Sequence, residues 1–368
     1  MSRLDQLTLR SPAHFVAAMP HLIGFTPEKS LVVVAMTSAE PGSPRSIIVT
    51  QRMDLSENTI DHPVISGAVV DAMRRNNADA VLICVWTDRT PRPGEVDPSL
   101  AYADLVYHVV TELDEAGIDT MDALLTNGDR RWSYTCTDPV CCPDAGVEIP
   151  DAVKTQITAE FVGVGQALTA SRAELEAEVA HVDTPPVAAA AATFVASMPT
   201  DARTVPWREG EIRALHALAQ QDDPLSAAQV AAGATALTDI RVRDTYLWDL
   251  AHQDTDGRRA ATTALVQIVR QVPPALVAPA ATVLAIQQWQ LGDGARANVA
   301  LDRAMDADRD YSLGTLVGAS LRSGMPPASW QQAMAGLGRD TCLHGSPPPP
   351  SRAVESPSVA APAPALEP

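Results

Sequence analysis

Short all-apolar runs alternate with helical periodicity in the first part of the chain, and helical periodicity alone fills the rest. Residues 31–36 are Val-rich and wholly apolar, the pattern of a buried strand. Residues 46–55 form a second strand. Pro41-Gly42-Ser43-Pro44 between the two predicts a turn, and so an antiparallel hairpin. Residues 80–86 predict a third buried strand and residues 121–125 the start of a fourth. Helices separate them. Residues 61–76 open on Asp61 with Pro63 in the first turn; residues 99–116 place Leu100, Leu105, Val109 and Leu113 on one side and close on Gly117. A short helix from Ser11-Pro12 to about Met19 precedes the sheet, followed by a loop through Pro27. Two strand–helix alternations predict a mixed or partly parallel sheet flanked by helices.

From Asp151 onward the strand signal stops. Residues 151–168 read as helix. Ser171-Arg172-Ala173-Glu174 is a capping box that opens another, to about His181. Asp183-Thr184-Pro185-Pro186 then breaks the chain. Helical patterns continue to Leu337, and Trp289 with Ala297, Ala300, Leu301 and Ala304 outlines one tetratricopeptide-like helical hairpin, a single copy where stacked arrays need about three. The expected architecture is an α/β domain over residues 1–182, an all-α domain over 183–340 and a Pro/Ala-rich tail over 341–368 too poor in apolar bulk to order.

Composition narrows the partners. The net charge is −18 and Lys occurs only at Lys29 and Lys154, which argues against nucleic acid, since phosphate binding needs clustered cations. The longest apolar stretch, residues 272–286, carries three Pro and is short of the ~20 residues that cross a membrane. The first residues lack the apolar core of a signal peptide, and five Cys fit a reducing cytoplasm with free thiols or a metal site. The expected partner is a small molecule or a protein.

Two places carry candidate chemistry. Cys136, Cys141 and Cys142 lie within seven positions after the fourth strand. They predict a zinc site whose fourth ligand is Cys84 or His108, or a thiol–disulfide pair, or a turn whose small thiols pack inward. The second place is the sheet's carboxyl edge, where ligands of open α/β sheets bind. Asp88 follows the third strand; Asn127, Asp129, Arg131 and Trp132 follow the fourth. If those strands are parallel neighbours, these residues gather on one rim beside the Cys loop. The alternative is that Asn127-Gly128-Asp129 is only a hairpin turn and residues 131–135 a returning strand. Walker, Gly-x-Ser-x-Gly and complete dinucleotide motifs are missing.

Several stretches together resemble one family. They are Ser11-Pro12-Ala13-His14, residues 20–27 (PHLIGFTP), Ser30-Leu31-Val32-Val33 with Arg52 and Asp54, residues 131–136 (RWSYTC) and Cys141-Cys142-Pro143. Ser171-Arg172 with Glu174-Leu175, and Trp289 with Gly292-Asp293, extend the likeness to about residues 5–325. In order and spacing the chain is similar to the actinobacterial family catalogued as domain of unknown function 4192. That resemblance implies the architecture and a cytoplasmic setting, and no mechanism. The residues themselves point first to a ligand- or protein-binding module. The alternatives are a hydrolase or transferase using Asp88 and Asp129, and a redox or zinc-binding protein using the Cys loop.

Overall fold

The computed structural model describes residues 9–38, 40, 43–91, 100–163, 171–197 and 203–345. Part of the predicted turn at 41–44, and the tail from 346 on, lie outside the described residues. Ser11 accepts from the His14 backbone N–H and starts α1 (Pro12–Ile23). This helix runs one turn beyond the expected end at Met19. Pro20 removes only one backbone donor, and His21 anchors the last turn by stacking on Phe161. There follow β1 (Ser30–Ser38), β2 (Arg45–Asp54), α2 (His62–Arg75), β3 (Ala80–Trp86), α3 (Ala103–Glu115), β4 (Asp119–Thr126), β5 (Arg130–Ser133), β6 (Val147–Glu148) and α4 (Asp151–Gly163). Asp61, expected to cap α2, makes no capping bond and accepts instead from the Ser56 hydroxyl. The third helix starts later than expected because Tyr102 takes a left-handed conformation immediately before it.

The strands form one sheet in the order β2-β1-β3-β4-β5-β6. Only β3 and β4 are parallel, with α3 as their crossover; β1–β2, β1–β3, β4–β5 and β5–β6 are antiparallel. One face packs Leu31, Val33, Ile83, Val85 and Leu125 against α2 and α3. The other packs Val32, Val34, Cys84 and Leu124 against Phe15, Val16 and Met19 of α1. Both faces of β1 and β3 are covered, which is why residues 31–36 and 80–86 read as unbroken apolar runs instead of alternating ones, whereas β4 carries Asp122 and is buried only from Ala123 on.

The helical region comprises α5 (Arg172–Val179), α6 (Pro185–Ser197), α7 (Val205–Ala219), α8 (Ala227–Ala236), α9 (Ile240–Ala251), α10 (Thr255–Gln271), α11 (Pro274–Gln290), α12 (Gly294–Ala307), α13 (Ser312–Arg322), α14 (Pro327–Ala335) and α15 (Arg339–His344). Among the described residues it contains no strand. At its centre, α11 is buried from Leu276 to Gln290 and pairs with α12, where Ala297, Ala300 and Ala304 are fully buried. These are the small residues that the hairpin pattern singled out. The expected break at 183 falls inside this layer. Leu175 and Val179 of α5 belong to the helical core, and Arg296 of α12 holds Glu178 through two bonds of 2.7 and 2.8 Å. The capping box marked a helix start correctly but says nothing about which core the helix joins. The two regions are tied together: Phe25, from the α1–β1 loop, is buried in the helical core, and Asn76 donates to the Gly324 carbonyl at 2.7 Å. No helix of the described residues is long and apolar enough to cross a membrane.

Candidate functional site

Since β2 and β3 both run antiparallel to β1, and β4 runs parallel to β3, three carboxyl ends share one edge of the sheet. Asp88 lies exposed beyond β3. Asn127 Oδ1 accepts from the backbone N–H of Asp129 at 3.0 Å and of Arg130 at 2.9 Å, closing a hairpin turn in which Gly128 has φ 92°. Asp129 pairs with Lys154 at 2.7 Å. Arg131 is a strand residue opposite Thr126, and Trp132 is buried in the core. The hairpin alternative therefore describes this segment. Asp88, Asn127 and Asp129 share an edge, but none of them lines the cleft found there.

The cavity at this edge is a cleft of about 610 Å³ built from three other segments: Ser56–His62 between β2 and α2, Arg89–Pro91 after β3, and Leu100–Asp104 at the start of α3. Arg89 Nη1 donates to Glu57 Oε2 at 2.6 Å, and the Tyr102 hydroxyl donates to Glu57 Oε1 at 2.7 Å. The Arg89 guanidinium also lies over the Tyr102 ring, 5.5 Å from its centroid. The Tyr102 hydroxyl, then Arg89, holds the Glu57 carboxyl below its ordinary range, with Lys29 adding to the effect. Tyr102 has φ 62° and ψ 21°, a strained conformation for a bulky residue and one that clusters at functional sites. Helices α2 and α3 both open toward the cleft, and neither receives a side-chain N-cap bond. Of the residues after β3, the sequence singles out Asp88 and not its neighbour Arg89. Glu57 and Tyr102 carry no local motif; only the fold brings them together.

The Cys loop opens from the opposite end of β5. The Asn127 turn enters this strand at Arg130, whereas Ser133 pairs with Leu124 and the chain leaves toward Asp122. The expectation that the loop sits beside the Asn127 rim is thereby corrected: an antiparallel return carries Cys136 away from it. The loop is braced by hydrogen bonds to its backbone groups. Cys136 N–H donates to Ser133 Oγ (3.1 Å), Cys142 N–H to the Asp138 carbonyl (2.8 Å) and Val140 N–H to Asp138 Oδ1 (2.9 Å). On the exit arm, Trp132 Nε1 donates to the Asp144 carbonyl (3.0 Å), and Arg130 to the carbonyls of Ala145 and Gly146 (2.8 and 2.7 Å). All three cysteines are free, and their Sγ atoms lie within 4.8 Å of one another. The Asp138 backbone N–H, followed by Cys142, draws the Cys136 thiol below its ordinary pKa, whereas burial pushes that of Cys142 up to about 12. The fourth ligands expected from sequence are elsewhere. Cys84 is fully buried in the core beneath α1, and His108 faces Glu112 on its own helix. No other Cys, His, Asp or Glu among the described residues joins the three sulfurs within 4.8 Å.

A smaller cavity of about 280 Å³ borders His216 in the helical region. Both ring nitrogens of His216 are engaged there, Nε2 with Asp249 Oδ2 at 3.1 Å and Nδ1 with Gln253 at 3.2 Å. No curated protein and no solved structure matches the chain. A family model does match, over residues 12–328, which takes in the sheet, the cleft, the Cys loop and the helical region through α13; the chain belongs to the family described as Domain of unknown function (DUF4192).

Proposed function

We propose that the protein is a binding module for small anionic molecules, phosphate esters foremost, taken up in the cleft at the sheet's carboxyl edge. The observation that carries this reading is the Glu57–Arg89–Tyr102 lock. An internal carboxylate already occupies the guanidinium and the hydroxyl that a ligand's oxyanion would use. Exchange of Glu57 for a ligand anion preserves both charge-assisted hydrogen bonds, so binding costs little reorganisation. The volume of about 610 Å³ suits a metabolite and exceeds the needs of a bare ion. The positive ends of α2 and α3 favour negative charge in a chain whose net charge is −18.

The acid–base alternative draws no support from the placement of Asp88 and Asp129. Neither lines the cleft, and Asp129 is spent on Lys154. Calorimetric titration of the full chain with ribose 5-phosphate tests the proposal. Saturable binding is expected, and Arg89→Ala should weaken it about 10–100-fold, the worth of a hydrogen bond to a charged group. Absence of binding, or an unchanged affinity in Arg89→Ala, would rule the cleft out as the site.

A further inference from the structure

The Cys loop has no part in the anion reading and lies away from the cleft. We propose that Cys136, Cys141 and Cys142 form a three-thiolate zinc site with its fourth coordination position open to solvent. Tetrahedral Zn–S bonds of ~2.3 Å place sulfurs roughly 3.75 Å apart. The three Sγ atoms already lie within 4.8 Å of one another, so closure takes only small rotations about the side-chain torsions. Adjacent cysteines in a strand would point to opposite faces. Here a turn closed by Cys142 N–H and the Asp138 carbonyl, at 2.8 Å, lets Cys141 and Cys142 both approach Cys136. The loop that carries them is held by hydrogen bonds between its backbone groups and the side chains of Ser133, Asp138, Trp132 and Arg130, which limits the ordering needed at the moment of binding.

The donor number and its exposure set the type of site. Structural zinc is enclosed by four protein ligands, whereas open sites hold zinc by three and leave one position for water or an exogenous ligand. Three sulfurs are present, no fourth ligand joins them among the described residues, and the rim formed by Cys141 and Val140 is exposed, Val140 by 91%. The open position faces that rim. Binding is balanced as one Zn²⁺ replacing three thiol protons: three S–H bonds break, three Zn–S bonds form, and the complex carries one net negative charge. No oxidant or reductant takes part.

The experiment uses the full chain, reduced and freed of metal. Zn²⁺ is titrated against a chromophoric chelator, and the Co²⁺ form is examined for sulfur-to-metal charge-transfer bands. About one equivalent of zinc should bind, with intense charge transfer and protection of three of the five thiols from alkylation. Cys141→Ser, whose side chain is exposed, should keep the wild-type thermal midpoint. It should weaken zinc by at least about 10–100-fold, the loss typical of disturbing even an outer-shell partner. Cys84→Ser, which lies outside the cluster, is the control and should keep stoichiometric zinc. Three outcomes would each overturn the proposal: zinc affinity unchanged in Cys141→Ser, a disulfide among the three thiols that persists in mild reductant, or binding of monovalent copper without zinc.

Discussion

The cleft and the Cys loop sit in the same α/β region and are held in place by opposite means. The loop spans eleven consecutive residues, and its backbone carbonyls and N–H groups are held by one another and by the side chains of Arg130 and Trp132 in the adjoining strand. The cleft is assembled from three separate segments and closed by the exposed side chains of Glu57 and Arg89 with the half-buried Tyr102. The first arrangement presents atoms that hardly move and suits a ligand with strict geometry, such as a metal ion. The second can exchange partners at low cost and suits a ligand that competes for charge. In one case side chains grip the backbone of a single loop, and in the other they grip one another across separate segments.

The largest expected effect attacks the brace of the loop. Gly146 has φ 72°, and a Cβ there would lie 2.5 Å from Trp132 Cε2 and 2.8 Å from its Cζ2 and Nε1. Gly146→Ala combines a left-handed backbone penalty with overpacking against a buried ring, about 2–4 kcal/mol in all. A urea titration should show that loss, and anion binding in the cleft should survive it at temperatures where the variant is folded. Equal damage to both functions would mean that the two sites are not separately held.

A smaller effect comes from the α1–α4 layer beneath the sheet. His21 is buried, stacks on Phe161 at 4.7 Å and uses only Nε2, toward Thr158; burial lowers its pKa from 6.5. The unfolded chain therefore binds this proton more readily than the folded one. The stabilisation is complete above pH 6.5 and declines as pH falls below it, by at most about 1.4 kcal/mol per pH unit. Thermal midpoints from pH 7.5 down to 5.5 should fall in the wild type and fall less in His21→Leu. Identical slopes would assign the acid sensitivity to other groups.

The smallest effect concerns the predicted rim. Asp129 is 80% exposed and its Lys154 partner 33%, so the pair is a surface salt bridge worth about 0–1 kcal/mol. Asp129→Asn should leave stability within about 0.5 kcal/mol of wild type and ribose 5-phosphate affinity unchanged. A large drop in affinity would restore the rim as a binding surface and contradict the placement of the ligand in the cleft.

The same contrast explains what could be read from the sequence. Strands β1 and β3 were legible because burial on both faces leaves an unbroken apolar run, β4 only through its buried Ala123-Leu124-Leu125 end, and Ser11 because capping is a local event. The Cys loop was legible because its ligands are neighbours in the chain. Its isolation from Cys84 and His108 was not, since that depends on which face of the sheet each occupies. Residues 171–182 were assigned to the first region because a cap gives a helix start and no packing partner; Leu175 and Val179 joined the helical core. Glu57, Arg89 and Tyr102 left no trace, being 32 and 13 positions apart, and the feature that marks Tyr102 is a backbone angle.

The central claim is that Glu57 stands where a ligand's anion will stand. Glu57→Gln keeps the shape of the side chain and removes the charge that competes for Arg89. Its effect on ribose 5-phosphate affinity, measured by calorimetry on the full chain, has opposite signs under the two possibilities. The account predicts tighter binding than wild type, because the internal carboxylate no longer competes for Arg89. Weaker binding in Glu57→Gln would mean that the carboxylate itself receives the ligand, and would contradict the account.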